Sequence, residues 1–283
     1  MKEELVKNES IESGLPESFC FEEIVDAAQK FIENLSLEVR LFSRPEYLSP
    51  TGIIGISGPR KMKFLYQAQW IANCLAAGNG VILKTDSGKG LREILKKLDF
   101  PQGLIQIIEG ADGELNPIIA GHPGLAGFIY SGAFAPSGSL IEEVAKRKKK
   151  AQFFLGAKNS ALIHPDFDFK KNIKKILQPA LVGMGQLDIN THRFFITQNI
   201  EKEFYETLQN YFRENPIQSN FYSEGFQQAT ARVVSEEGKI LVSGIPTFTR
   251  DLPNCSDLQQ DQIFGPLFIV TSVKYVHEMV KWT

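Results

Sequence analysis

Asp188 and His192 are the residues in this chain whose types and spacing most invite chemistry. On a helix, a carboxylate four residues before an imidazole shares its face. The two could form an ion pair, the plainer reading, or an acid–base couple. Cys255, in Pro253-Asn-Cys-Ser256, is a thiol on a loop with some reach into a cleft. Cys74 falls within an apolar helical pattern and reads as a core thiol. With Cys20 the cysteines number three and are widely spaced, which gives neither a disulfide framework nor a metal-ligand pair. His122, His164, His192 and His277 show no HxxxH or HExxH spacing, so a zinc site is not expected.

The elements that must position these groups belong to a globular chain. It has 283 residues, 43% hydrophobic and 23% charged, a length that favours about two domains. A net charge of −2 from 31 basic and 33 acidic residues gives no global field for nucleic acid or membrane. The basic run at 146–150 follows a helical pattern at 139–145 and suits a solvated helix C-terminus. The start is acidic with no apolar core, unlike a secretory signal, and no apolar run approaches the ~18 residues of a membrane span. A cytoplasmic protein is the default expectation.

Residues 1–18 are polar and are expected to be frayed. Apolar residues at Phe21, Ile24, Val25, Ala28, Phe31, Ile32 and Leu35 form a helical stripe. Strands are predicted at 52–57, 81–84, 104–109 and 127–131, alternating with helices at 65–77, 91–98 and 115–121. The second part shows a strand at 160–163, a helix from 169 to about 184, a strand at 193–197 and a helix at 202–212. Strand–helix alternation of this length implies βαβ crossovers and a parallel sheet. Apolar strands with little polar alternation imply that helices cover both faces. The pattern predicts an α/β fold, a Rossmann-like parallel-sheet domain over 1–155 followed by a shorter α/β domain over 156–283.

Collinear blocks along residues 20–275 resemble the aldehyde dehydrogenase superfamily. Pro50-Thr-Gly-Ile-Ile-Gly-Ile56 looks like the strand opening its dinucleotide-binding domain. Leu75-Ala-Ala-Gly-Asn79 with Val81-Ile-Leu-Lys84 is similar to LAAGN and VVLK, and Tyr130-Ser-Gly-Ala133 to FTGS. Leu155-Gly-Ala-Lys-Asn159 is similar to LGGKN, while Lys239-Ile-Leu-Val-Ser-Gly244, Pro246-Thr-Phe248 and Ile263-Phe-Gly-Pro266 resemble later landmarks. Gly185, Gln186 and Arg193 match the nucleophile segment, Gly-Gln-x-Cys with an arginine five residues on. Ser57-Gly-Pro59 is faintly similar to the succinylglutamate-semialdehyde branch.

The resemblance implies chemistry that the residues here do not continue. Such enzymes use a cysteine thiolate as nucleophile, a side-chain amide for the oxyanion and a glutamate to activate water. The cysteine position is Asp188, the amide position Lys61, and the glutamate position Phe154. Gln262 replaces the glutamate of EIFGP, which steadies the nicotinamide ribose. A protein that has lost catalysis and serves a regulatory or binding role is the leading expectation. An NAD(P)-dependent aldehyde or semialdehyde oxidoreductase using other residues is the alternative. Phe154 and Lys61 are expected to narrow the substrate tunnel, with Lys61 paired to Asp188.

For a cofactor the resemblance offers Lys84 and Ser87 at the adenosine ribose and Gly132 near the pyrophosphate. None is dictated; NADP and NAD are the candidates. Ser87 replaces a ribose-binding glutamate that would repel a 2′-phosphate, so residual binding is expected to favour NADP. The last part of family members, which exchanges a strand between subunits, has no counterpart before residue 283. Sheet edges at 193–197 and 240–243 are therefore expected to be sticky, giving a homodimer or a complex with a protein partner.

Overall fold

The structure, a computed structural model, describes all residues except 1, 43–48, 59–61, 133–135, 218–223, 264 and 283. The chain divides into two compact units, Met1–Leu155 and Gly156–Thr283. The first begins with helix α1 (Lys2–Ser13), the single turn α2 (Glu17–Phe19), a π-helical turn (Cys20–Asp26) and α3 (Ala27–Phe42). It then alternates β1 (Ile53–Ser57), α4 (Lys63–Ala76), β2 (Gly80–Thr85), α5 (Lys89–Leu95), β3 (Ile105–Glu109), α6 (Asp112–Gly121), β4 (Leu125–Gly132), α7 (Gly138–Lys146) and β5 (Lys150–Leu155).

Its strands lie in the order β3-β2-β1-β4-β5, and each adjacent pair is parallel. The order in which the chain adds strands reverses between β1 and β4, the point at which loops leaving the carboxyl ends of neighbouring strands go to opposite faces of the sheet, where folds of this kind bind ligands. Both faces are covered, as the apolar strands require. Ile56, Val81 and Leu83 pack with Ile71, Cys74 and Leu91 of α4 and α5. On the other side Leu125 and Phe128 pack with Ile119, Leu140 and Val144 of α6 and α7. Asn79, which follows the left-handed Gly78, accepts hydrogen bonds from the Thr51 and Gly52 amides at 2.8 and 3.0 Å. That side chain fixes where the chain enters β1.

Residues 2–13, expected to be frayed, form α1 instead. Leu5, Val6, Glu9 and Ser13 are its buried face, and Leu5 packs against Gly90 of α5. The Lys2 ammonium bonds Asp26 of the π-helical turn at 2.8 Å. Polar composition hides this helix because half of its buried face is Glu and Ser: the Ser13 hydroxyl donates to the Glu9 carbonyl, and the Glu9 carboxyl meets the Lys63 and Phe64 amides. The basic run also divides. Lys146 ends α7 near Glu142 and Glu143, whereas Lys150 opens β5.

The second unit contains β6 (Asn159–Leu162), α8 (Phe169–Leu181), a 3₁₀ turn (Val182–Gly185), β7 (Thr191–Thr197), α9 (Glu201–Glu214), α10 (Glu224–Ser235), β8 (Lys239–Val242), β9 (Thr247–Arg250), α11 (Asp257–Gln260), β10 (Leu267–Val273) and α12 (Val276–Trp282). Strand order is β6-β7-β10-β9-β8, parallel except for β8. Alternate side chains of β10 face opposite ways. Phe268 and Val270 join Phe194, Phe204, Phe212 and Phe248 under α8 and α9, whereas Leu267 and Ile269 meet Phe226, Val233 and Leu258. The strand at 193–197, expected as a sticky edge, lies between β6 and β10, because its side chains are apolar on both faces and need cover on each. The edge at 240–243 falls on β8, the last strand in the order, with Ile240 42% exposed.

Candidate functional site

Two groups of residues carry the chemistry, one in each unit. In the second unit α8 ends at Leu181, short of the predicted 184. Gly183, Met184 and Gly185 all take positive φ, at 60°, 56° and 67°. Three consecutive left-handed residues cannot continue a right-handed helix, and the chain swings into a tight turn at 186–190. Gly185 is required here, because a Cβ would stand 2.5 Å from the Gly265 carbonyl oxygen. The Gly265 amide donates back to the Gly185 carbonyl at 3.2 Å.

Asn190 organises the turn. Its Oδ1 accepts from the Leu187 amide at 2.7 Å, and its Nδ2 donates to the Pro179 and Val182 carbonyls at 2.8 and 2.9 Å. The Asn159 side chain holds the Asp188 carbonyl at 2.9 Å. Gln186, Asn190 and His192 are almost fully buried. Asp188 is half-buried, and Ile189 beside it is 71% exposed. The turn therefore presents Asp188 from a backbone braced on both sides.

His192 does not lie on a helix with Asp188. It belongs to β7, and its ring nitrogens each lie 3.1 Å from a backbone carbonyl, Asn190 for Nδ1 and Gly185 for Nε2. Strand geometry replaces the helical face on which the two could have paired, and both ring nitrogens of His192 are taken up by backbone carbonyls. Burial first, and then the nearby Lys158 ammonium, hold the imidazole down to about 4, so it is neutral at physiological pH. Lys158 donates to the Asp261 carbonyl at 2.8 Å. Burial, reinforced by the Arg193 guanidinium, lowers its ammonium to about 7. Arg193 in turn donates to the Lys158 carbonyl at 2.9 Å. This lysine–arginine–histidine group was missed in the sequence because its members are brought together by β6, β7 and the 261–263 segment. Gln262 is buried, and neither atom of its side-chain amide makes a hydrogen bond among the described residues.

Phe154, in the first unit, stacks on Trp70 of α4 with centroids 5.6 Å apart. Lys61 lies outside the described residues, and with it the contact expected between Lys61 and Asp188. Cys20 and Cys74 are buried, and desolvation pushes both thiols up, Cys20 to about 11. Cys255 is exposed. Among the described residues no group of acids, histidines and cysteines could hold a metal ion, and no helix is long and apolar enough to cross a membrane.

The other group lies at the carboxyl ends of the first sheet. Here α4 buries Lys63 and Gln67 as well as apolar residues, and Ser57, Lys84 and Thr85 are buried at the strand ends. Gln67 Nε2 donates to the Thr85 hydroxyl at 3.0 Å. Lys84 is paired with Asp112, the first residue of α6. The Ser87 hydroxyl donates to Glu12 of α1 at 2.9 Å, and Lys63 bridges Glu12 and Asp86 at 2.6 and 3.1 Å. Beside Gly132 the Tyr130 hydroxyl stands 2.5 Å from where a Cβ would be, so a side chain here would have to displace the Tyr130 ring. The donor set suits a sugar diol, which needs both hydrogen-bond acceptors and donors: carboxylates at Glu12 and Asp112, an ammonium at Lys84, a hydroxyl at Ser87.

A parallel sheet of this order, with polar groups buried at its carboxyl ends, followed along the chain by a second α/β unit, is an α/β fold of the aldehyde-dehydrogenase type. The model for "Aldehyde dehydrogenase family" matches residues 1–283, and the chain belongs to that family. An aminoaldehyde dehydrogenase 2 of Pisum sativum is 24% identical, covering 99% of this chain and 64% of its own length. A betaine aldehyde dehydrogenase of Atriplex hortensis is 22% identical, with 99% and 65% covered. The chain thus spans less than two thirds of the length of these relatives. An aldehyde dehydrogenase from Bartonella henselae superposes with a TM-score of 0.88 at 17% identity, over 99% of this chain and 68% of that one. The NAD+ complex of an aldehyde dehydrogenase from Bacillus cereus gives 0.85 at 17% identity, over 99% and 65%.

Proposed function

We propose that this chain is a non-catalytic member of the aldehyde dehydrogenase family that acts by binding, with a dinucleotide as its ligand in the first unit. The observation that carries this reading is the turn at 186–190. It is braced by Asn190, Asn159 and the Gly185–Gly265 contact, and it carries Asp188, the residue that the motif resemblance sets at the nucleophile position. A carboxylate there cannot form and release the thiohemiacetal and thioester of cysteine chemistry. The bracing argues against another group swinging into its place. Phe154, stacked on Trp70, has no proton to take or give. Loss of a nucleophile costs several powers of ten in rate.

A bound nicotinamide dinucleotide supplies a hydride acceptor in such proteins. Here Lys84 and Ser87, with Glu12 behind it, would hold the adenosine ribose, and Gly132 would allow close backbone approach. The test is turnover of aliphatic, aromatic and semialdehyde substrates with NAD and with NADP. Only background rates are expected. Sustained turnover by a repurified sample, lost in Asp188→Ala or Cys255→Ala, would overturn the non-catalytic reading.

A further inference from the structure

We infer that Glu12 of α1 makes the carboxyl edge of the first sheet selective for an adenosine with free ribose hydroxyls, against one that carries a 2′-phosphate. The inference rests on the dinucleotide-binding part of the proposal above and is independent of whether an aldehyde is turned over.

Ser87 by itself would point the other way, because a serine neither accepts as strongly as a carboxylate nor repels a phosphate. The structure places a carboxylate on that serine from another part of the chain. Glu12 Oε1 accepts from Ser87 Oγ at 2.9 Å, while Glu12 Oε2 is held by Lys63 at 2.6 Å. Glu12 is thus fixed at both oxygens, with a side chain one third exposed and open to a ligand. A carboxylate at the adenosine ribose accepts a hydrogen bond from the 2′-hydroxyl, and it repels a 2′-phosphate.

The neighbouring cations do not offset this repulsion. Lys63 is bound to Glu12 and Asp86, Lys84 to Asp112, and Arg92 to Glu109. A 2′-phosphate would have to draw one of these from its carboxylate, and Lys84 is itself buried. Lys89, two residues beyond Ser87, is exposed at the start of α5. It can approach a phosphate, but Glu12 stays beside it. With Glu12 neutralised, Lys89 would favour the phosphorylated ribose.

Calorimetric titration of the full chain with 5′-AMP, adenosine 2′,5′-bisphosphate, NAD and NADP tests the inference. The wild type should bind the unphosphorylated member of each pair about tenfold more tightly, the scale of one charge contact near a protein surface. Glu12→Gln should erase or reverse that ratio, and Glu12→Asp should retain it. Ser87→Ala, at a half-buried position where folding is not at risk, should reduce it. Equal or tighter wild-type binding of the 2′-phosphorylated ligands would overturn the inference. So would wild-type binding of none of the four, or an unchanged ratio in folded Glu12→Gln. If Glu12→Gln does not fold, the wild-type ratio and Ser87→Ala decide. Aldehyde turnover, by contrast, would sink only the non-catalytic reading.

Discussion

Glu9 puts a cost on the docking of α1 that depends on pH. The residue is 6% exposed and faces the start of α4. Burial first, and then the charge of Glu12, raise its carboxyl from 4.5 to about 7, while Lys63 and the amides of Phe64 and Lys63 pull it down less strongly. Below about pH 4.5 folded and unfolded chains both carry the proton, and the fold bears no penalty. As pH climbs from 4.5 towards 7 the unfolded chain gains by ionising, so stability falls, and above about 7 the loss is complete. The gap between 4.5 and about 7, at ~1.4 kcal/mol per pKa unit, sets a ceiling of about 3 kcal/mol. Glu9→Gln keeps an oxygen for the amides and cannot ionise. Urea unfolding of wild type and variant from pH 5 to pH 8.5 should show Glu9→Gln gaining ~2–3 kcal/mol on the wild type over that range. Amide exchange in α1 should show the same trend if the helix opens alone. A difference that stays constant with pH, or a wild type that gains on the variant above pH 7, would refute the reasoning.

Gly185→Ala should destabilise the chain by ~2 kcal/mol or more, since it combines a left-handed residue with a Cβ 2.5 Å from a carbonyl oxygen. The midpoint of urea unfolding measures it, and an unshifted midpoint would mean the turn is slack. Lys158, lowered to about 7, should react with an amine-directed reagent half-maximally near that pH, well below ordinary lysines. Peptide mapping of the labelled chain reads this directly, and a Lys158 midpoint near 10 would contradict the burial argument.

Much of the fold was legible in the sequence because it rests on apolar runs. The runs at 53–56, 81–83 and 105–108 are strands in a sheet covered on both sides, and Gly78 of Leu75-Ala-Ala-Gly-Asn79 marks a real left-handed turn. Family membership was legible for the same reason, since glycines and core residues carry the motifs. The groups around the candidate sites were not. Glu12 meets Ser87 across 75 residues, and Lys158 meets Asp261 across 103. No periodicity signals such pairs. Asp188 and His192 misled because their spacing has meaning only on a helix, and the left-handed residues before them end the helix early. The 2–13 helix was hidden because Glu9 and Ser13 stand where apolar residues would have drawn a stripe.

Asn190 sits nine residues beyond the last residue of α8, yet its side chain satisfies two carbonyls at that helix's end, those of Pro179 and Val182, while its own carbonyl oxygen faces His192. It thus works as a helix stop delivered from downstream. Opening the loop leaves helix carbonyls without partners, and unwinding the last turn of the helix strips the loop of its clasp. The two should breathe as a single cooperative unit, with the Leu187 amide exchanging at the rate of the α8 terminus. A ligand that grips Asp188 would therefore be felt along α8, and slower exchange in that helix would report its arrival.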